Sequence, residues 1–169
     1  HAGRLPKRLI VHKTTYFKRQ EIDGAFDAIP STLNLELLQI VQDNPWKGIK
    51  YVKKGSDWTP HGYPLERGVY LQTGPQEILL WTQGSVMLNG KTFYKEGKGI
   101  PSPLMIRRFA GDGGWDHNCQ AILGLTKMNW NHDGLYDKLP VTLGYASVLA
   151  RTIKRMNKLV NKPYEFRYF

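Results

Sequence analysis

The chain of 169 residues has one cysteine, few acids and no long apolar run, and each scarcity removes a class of proteins. The single thiol, Cys119, cannot close an internal disulfide, and without a second cysteine it argues against a zinc cluster; it reads as a helix-core residue in a reducing compartment. The longest apolar stretches, such as Ala121–Leu125, are far too short to span a bilayer, and no signal-peptide pattern precedes them. The expectations are therefore no membrane partner and a cytoplasmic location. Also missing are a Gly-x-x-x-x-Gly-Lys-Ser/Thr phosphate loop, a His-Glu-x-x-His zinc motif and a Gly-x-Ser-x-Gly nucleophile elbow. The five histidines, His1, His12, His61, His117 and His132, are scattered without metal-ligand spacing.

Acids number 14 against 24 lysines and arginines, which leaves a net charge of +10 on a chain that is 41% apolar and 12% aromatic. Such a chain has enough apolar material for a core and a surplus of positive surface, so polyanions are its natural partners. Asp112, Asp116, Asp133 and Asp137 sit in glycine-rich surroundings that suit turns and helix caps better than a metal cluster. Repeats, low-complexity segments and a dividing linker are all lacking, so residues 1–169 read as one domain.

Periodicity gives an alternating order of strands and helices. Lys7–His12 is a β-branched run of the kind buried in a parallel sheet, and a central strand needs neighbours on both sides, so the chain is expected to be the C-terminal part of a longer polypeptide. Thr15 can cap a helix over Tyr16–Ile29 with an apolar stripe of Phe17, Ile22, Ala25, Phe26 and Ile29, ended by Pro30. Leu35–Val41 is a second buried strand, followed by a turn at Asp43-Asn-Pro45 and an irregular basic stretch to Lys54. Pro64–Leu71, Glu77–Trp81 and Pro103–Phe109 read as further strands, and Asp116–Lys127 as a helix. The last helix, Leu143–Val160, has the clearest pattern: Tyr145, Val148, Leu149, Thr152, Ile153, Met156, Leu159 and Val160 recur at helical spacing, while Arg151, Lys154, Arg155 and Lys158 fill much of the remainder. One face is expected to pack and the other to face solvent or phosphate. The fold class is α/β with a mostly parallel or mixed central sheet flanked by helices.

Several blocks, taken in order, resemble the second half of a PIWI domain of an Argonaute: Arg8-Leu-Ile-Val-His-Lys-Thr14, Leu65-Glu-Arg-Gly-Val-Tyr70, Leu79-Leu-Trp-Thr-Gln-Gly84, Leu125-Thr-Lys-Met-Asn-Trp-Asn131 and Leu139-Pro-Val-Thr-Leu-Gly-Tyr-Ala-Ser-Val-Leu-Ala-Arg151. The ending Tyr164-Glu-Phe-Arg-Tyr-Phe169 is similar to the aromatic C-termini of short, catalytically inactive prokaryotic Argonautes. The resemblance implies an RNase H-like fold whose MID domain and early PIWI strands lie upstream of this chain. It also implies a nuclease site in which four acidic or histidine side chains hold two divalent cations about 4 Å apart. Two of those positions fall at Thr14 and Ser147, where neutral hydroxyls cannot supply the charge that attracts a hard cation, so the site reads as degenerate. No aspartate or glutamate stands in Arg4–Gln20 or Tyr145–Lys158, so a slip of a residue or two does not restore it.

What the resemblance leaves is guide and target holding. It implies contacts to the first phosphates of a small guide RNA or DNA from Lys127, Asn129, Asn131, Thr142 and Arg151, and a divalent cation (Mg2+ or Mn2+) bridging the guide 5′ phosphate to the carboxylate of Phe169. Lys47 and Lys50, with Lys53 and Lys54, form a second basic patch for guide or target backbone. The implied function is guide-directed binding of a complementary target, DNA in the expected case, in defence against foreign DNA, signalled to a sirtuin-like or TIR-type effector. The alternatives are an active guide-dependent endonuclease and a basic α/β domain with a structural role.

Overall fold

The computed structural model describes residues 6–94, 99–129 and 136–155, and in them the chain forms nine strands and three helices. Strand β1 (Arg8–Lys13) leads through helix α1 (Arg19–Asp27) to β2 (Asn34–Val41). Two small hairpin strands, β3 (Tyr51–Lys54) and β4 (Asp57–Pro60), precede β5 (Tyr70–Gly74) and β6 (Glu77–Leu80). A second small hairpin, β7 (Val86–Leu88) and β8 (Lys91–Phe93), is followed by β9 (Leu104–Ala110), α2 (Trp115–Leu125) and α3 (Val141–Arg155). The central sheet has the order β1-β2-β9-β6-β5.

That sheet is mixed rather than mostly parallel: only β1 and β2 run parallel, and the β2/β9, β9/β6 and β6/β5 pairs are antiparallel. The reason lies in the connections. A parallel pair needs a crossover, which α1 supplies between β1 and β2, whereas the two residues between Gly74 and Glu77 can only turn the chain back on itself. Among the described residues β1 is an edge strand, with β2 on one side only, and not the central strand that its composition suggested.

One face of the sheet presents Leu38, Ile40, Ile78, Leu80, Leu104 and Ile106, each essentially inaccessible, to Trp115, Cys119 and Ile122 of α2 and Leu143 of α3. Cys119 is the helix-core residue expected, and burial pushes its thiol up to about 12. At the open end of the same layer lies Glu36, buried among charges. Its Oε1 accepts the Gly113 N–H at 2.6 Å and meets Arg8 Nη2 at 3.4 Å. Its Oε2 accepts from the Asn118 amide at 3.0 Å and meets Arg108 Nε at 3.3 Å. Arg8 also donates to Asn118, and Arg108 stacks over the Trp115 ring at 4.1 Å. One carboxylate thus ties β1, β9 and α2 to β2.

Several elements differ from the expectations. Helix α1 starts at Arg19, not Tyr16, because Tyr16 and Phe17 turn onto the Phe109 ring at 5.8 and 5.5 Å while the Glu21 carboxylate reaches back to the Lys18 N–H at 2.7 Å. Thr15 is therefore not its cap, and the helix has no buried residue. Pro64–Val69 is a loop instead of a strand: Gly68 takes φ +99°, and the segment is tied to residues 81–85 through Ser85 N–H to Leu65 O (3.0 Å) and Arg67 N–H to Ser85 O (2.9 Å). The irregular basic stretch contains the β3/β4 hairpin, turned at Gly55 with φ +64°. The β7/β8 hairpin turns at Asn89-Gly90, both with positive φ as a type I′ turn requires. No helix among the described residues is long and apolar enough to cross a membrane.

Helix α3 departs most from its pattern. Only Leu143 is buried, and the apolar positions Tyr145 and Val148 are about half exposed. Met156, Leu159 and Val160 of the expected stripe lie outside the described residues.

Candidate nucleic-acid interface

Tyr145 and Val148 are exposed because they line an open groove of about 460 Å³ between α3, the chain leaving α2, and the end of β2. On α3 the groove takes Val141, Gly144, Tyr145, Val148 and Arg151, which recur at steps of three and four and so form one side of the helix. The facing wall is built from Asn129 and Asp137–Pro140. An aromatic, apolar helix side that ends on an arginine offers a base or sugar something to lie against and a phosphate something to pair with.

The wall is held from behind. Arg67, whose pKa is lowered by burial, reaches from the loop before β5 and donates to Leu123 O at 2.9 Å and Thr126 Oγ1 at 2.7 Å, while its guanidinium stacks over the Tyr136 ring at 4.7 Å. The Tyr136 hydroxyl donates to Gly84 O at 3.2 Å, Asp137 N–H to Thr126 O at 2.8 Å, and Thr82 Oγ1 to Lys138 O at 2.7 Å. Lys138 donates to Gln42 O and Ser102 Oγ, both at 2.8 Å; burial lowers its pKa, with Lys47 adding repulsion against the pull of Asp43. Arg67, Thr82 and Gly84 fall inside the blocks of resemblance, but neither they nor Lys138 were singled out for a role in the sequence, because each acts on a partner in a separate segment.

The residues expected to touch nucleic acid fall in different places. Asn129 and Arg151 come together in the groove. The Arg151 guanidinium donates to Ser147 O at 3.3 Å and pairs with no acid among the described residues, whereas the Asn129 amide donates to Asp137 at 2.6 Å and so supports the wall. Lys127 is exposed at the end of α2. Thr142 lies on another side of α3, where its hydroxyl is 3.1 Å from His12 Nδ1. Lys47 and Lys50 are outside the groove; Lys47 donates to Ile100 O at 3.1 Å, and Lys50 is ion-paired with Glu66. Asn131 and Phe169, and with Phe169 the cation site, lie outside the described residues.

Thr14 and Ser147 are both exposed, on the chain leaving β1 and on α3, and their carbonyls accept from Gln39 and Arg151. Among the described residues no three His, Cys, Asp or Glu side chains converge as a metal site would require, and two hydroxyls offer no compensating charge.

His12 joins β1 to α3. Burial pushes its pKa down to about 4, and Nε2 has no hydrogen-bond partner among the described residues, so the ring is neutral at physiological pH. In the unfolded chain the imidazole has a pKa of about 6.5 and takes up a proton that the folded state refuses, so this site costs stability as pH falls from 6.5 towards 4 and has no effect above 6.5. Replacing His12 with glutamine is expected to remove about 1–2 kcal/mol of the stability difference between pH 7 and pH 5, checked by urea unfolding of both proteins at both values.

No protein-family model and no curated protein sequence matches the chain. Solved structures do. Clostridium butyricum Argonaute bound to a guide DNA and a 19-mer target DNA is similar over 90% of this chain and 18% of its own, at 22% identity and a TM-score of 0.64. An Argonaute described with externally bound siRNA covers 88% of the chain at 21% identity and TM-score 0.58, and Aquifex aeolicus Argonaute covers 94% at 20% identity and 0.55. The chain thus spans about a fifth of the length of the Argonautes it matches. At these identities the likeness is one of architecture, and the chain has the RNase H-like fold of the PIWI region of Argonaute proteins.

Proposed function

We propose that this chain is the C-terminal part of a PIWI domain that holds a guide strand and its complementary target without cutting either. The observation that carries the reading is the groove beside α3, where Arg151, unpaired among the described residues, stands at the end of an aromatic and apolar helix side on a chain of net charge +10. The Argonaute fold supports it, since one similar structure holds guide and target DNA. Inactivity rests on Thr14 and Ser147 at the positions where the resemblance puts acids. Phosphate contacts position the strand while base pairing reads the sequence, and capture of a target is passed to an effector partner.

The full-length protein carrying this chain is expected to bind a guide and matched target and to leave both intact in Mg2+ or Mn2+. Lys127→Ala and Arg151→Ala are each expected to weaken binding about tenfold for every guide sequence, and to lower the slope of log affinity against log salt by about 1. Metal-dependent, guide-specific cleavage would show an active endonuclease instead. Unchanged affinity and salt slope in both variants would leave the groove a structural feature of a basic domain.

A further inference from the structure

The β3/β4 hairpin carries an aromatic and cationic face that the groove does not use. Its register pairs Tyr51 with Pro60, Val52 with Thr59, Lys53 with Trp58 and Lys54 with Asp57. Side chains alternate along each strand and cross-strand partners share a face, so Tyr51, Lys53, Trp58 and Pro60 stand on one side of the ribbon. All four are exposed, Trp58 by 67% and Tyr51 by 52%. The other side is turned towards the protein: Val52 and Thr59 are half-buried, the ladder continues through the His61 N–H to Lys50 O bond of 2.7 Å, and the Lys50 side chain reaches Glu66. The hairpin's acid, Asp57, is opposite Lys54 on that inner side, and Lys53 pairs with no acid among the described residues.

Two large rings stand on one exposed face of the ribbon, diagonal to one another in the register, with an ammonium that pairs with no described acid beside one of them. We propose that this face is a stacking platform for unpaired nucleotides: Trp58 and Tyr51 lie against two bases, and Lys53 pairs with the phosphate between them. Charge favours this occupant, because a polyanion is drawn to a chain of net charge +10 while a second basic surface is repelled. The choice of single strand follows from the rings, which take the flat face of a base that is unpaired or at an open end and find none along a stacked duplex. The proposal rests on nucleic-acid binding by this protein and adds a second contact, remote in sequence from α3, that prefers unpaired over paired strands.

The test compares the full-length protein with Trp58→Ala, Tyr51→Ala, Lys53→Ala and Trp58→Phe, using a fluorescein-labelled 5′-hydroxyl dT15 strand and a guide–target duplex. Trp58→Ala is expected to weaken dT15 binding about tenfold and Tyr51→Ala several-fold, with Trp58→Phe retaining most of the affinity because a ring remains. Lys53→Ala is expected to reduce the salt slope for dT15 by about 0.7. Duplex affinity and the unfolding midpoint are expected to stay as in the parent. If dT15 and duplex bind the parent but Trp58→Ala and Tyr51→Ala change neither, the platform is refuted and groove binding stands. If the parent binds no nucleic acid, both readings fail. Equal losses on dT15 and duplex would show a contact without preference for unpaired strands, and a lowered unfolding midpoint would show that the face packs against protein; either would also refute the platform.

Discussion

Replacing Glu36 with alanine is expected to lower the unfolding free energy by about 3–5 kcal/mol, the range for removing one member of a buried ion pair and stranding the other. The size follows from what the carboxylate holds. Its side chain is 3% exposed; it is ion-paired with Arg108, itself 8% exposed, and with Arg8, and accepts hydrogen bonds from the Asn118 amide and the Gly113 N–H. Alanine leaves one guanidinium almost fully buried with only the Gly113 carbonyl and the Trp115 ring for company. Glu36→Gln keeps the shape and an acceptor but loses the charge, so its loss is expected to be smaller. Denaturant unfolding of the three proteins checks the order, and a loss under 1 kcal/mol for alanine would mean that the arginines turn out to water.

Gly84→Ala is expected to destabilise by about 2–3 kcal/mol or more and to weaken guide binding although Gly84 touches no ligand. A Cβ at this position would lie well inside contact with the Leu65 carbonyl oxygen and 2.9 Å from the Arg67 nitrogen. Both are backbone atoms, fixed by the Ser85 N–H to Leu65 O and Arg67 N–H to Ser85 O bonds, so neither can step aside as a side chain would. The strain falls on the Tyr136 hydroxyl, which donates to Gly84 O, and on Arg67, which clamps Thr126. These are the supports of the groove wall. Gly90→Ala offers a contrast: that Cβ meets nothing within 4 Å, its cost is confined to the positive φ of the turn, and guide affinity is expected to stay unchanged.

The sequence made the strands legible where burial is continuous and the helices legible where a pattern is long. Leu35–Val41 and Pro103–Phe109 matched β2 and β9 to within a residue at each end, because both lie in the middle of the sheet where every position is constrained. Tyr16–Ile29 and Pro64–Leu71 did not match. In the first, an aromatic pair is taken up by Phe109, more than ninety positions away, and in the second a β-rich segment is diverted into a loop by Gly68 and by bonds to residues 81–85. Local propensity cannot see partners that distant. The two small hairpins were legible and missed: Gly55-Ser56 and Asn89-Gly90 are both two-residue turn signals. Of the candidate site, the first part of α3 and the chain leaving α2 were visible as blocks in order. That Tyr145 and Val148 line a groove instead of a core was not, since periodicity gives an apolar side without saying whether anything covers it.

The one-sided pairing of β1 bears on how such a segment behaves in solution. Among the described residues, the strand Arg8–Lys13 offers the backbone groups of its outer edge to any further strand, with Leu9 38% exposed beside them. Against this works the charge: molecules carrying +10 repel one another at low ionic strength. Added salt shortens that repulsion to about 10 Å at 0.1 M without weakening edge-to-edge pairing, so the same ions that loosen a polyanion from this surface remove its protection against self-association.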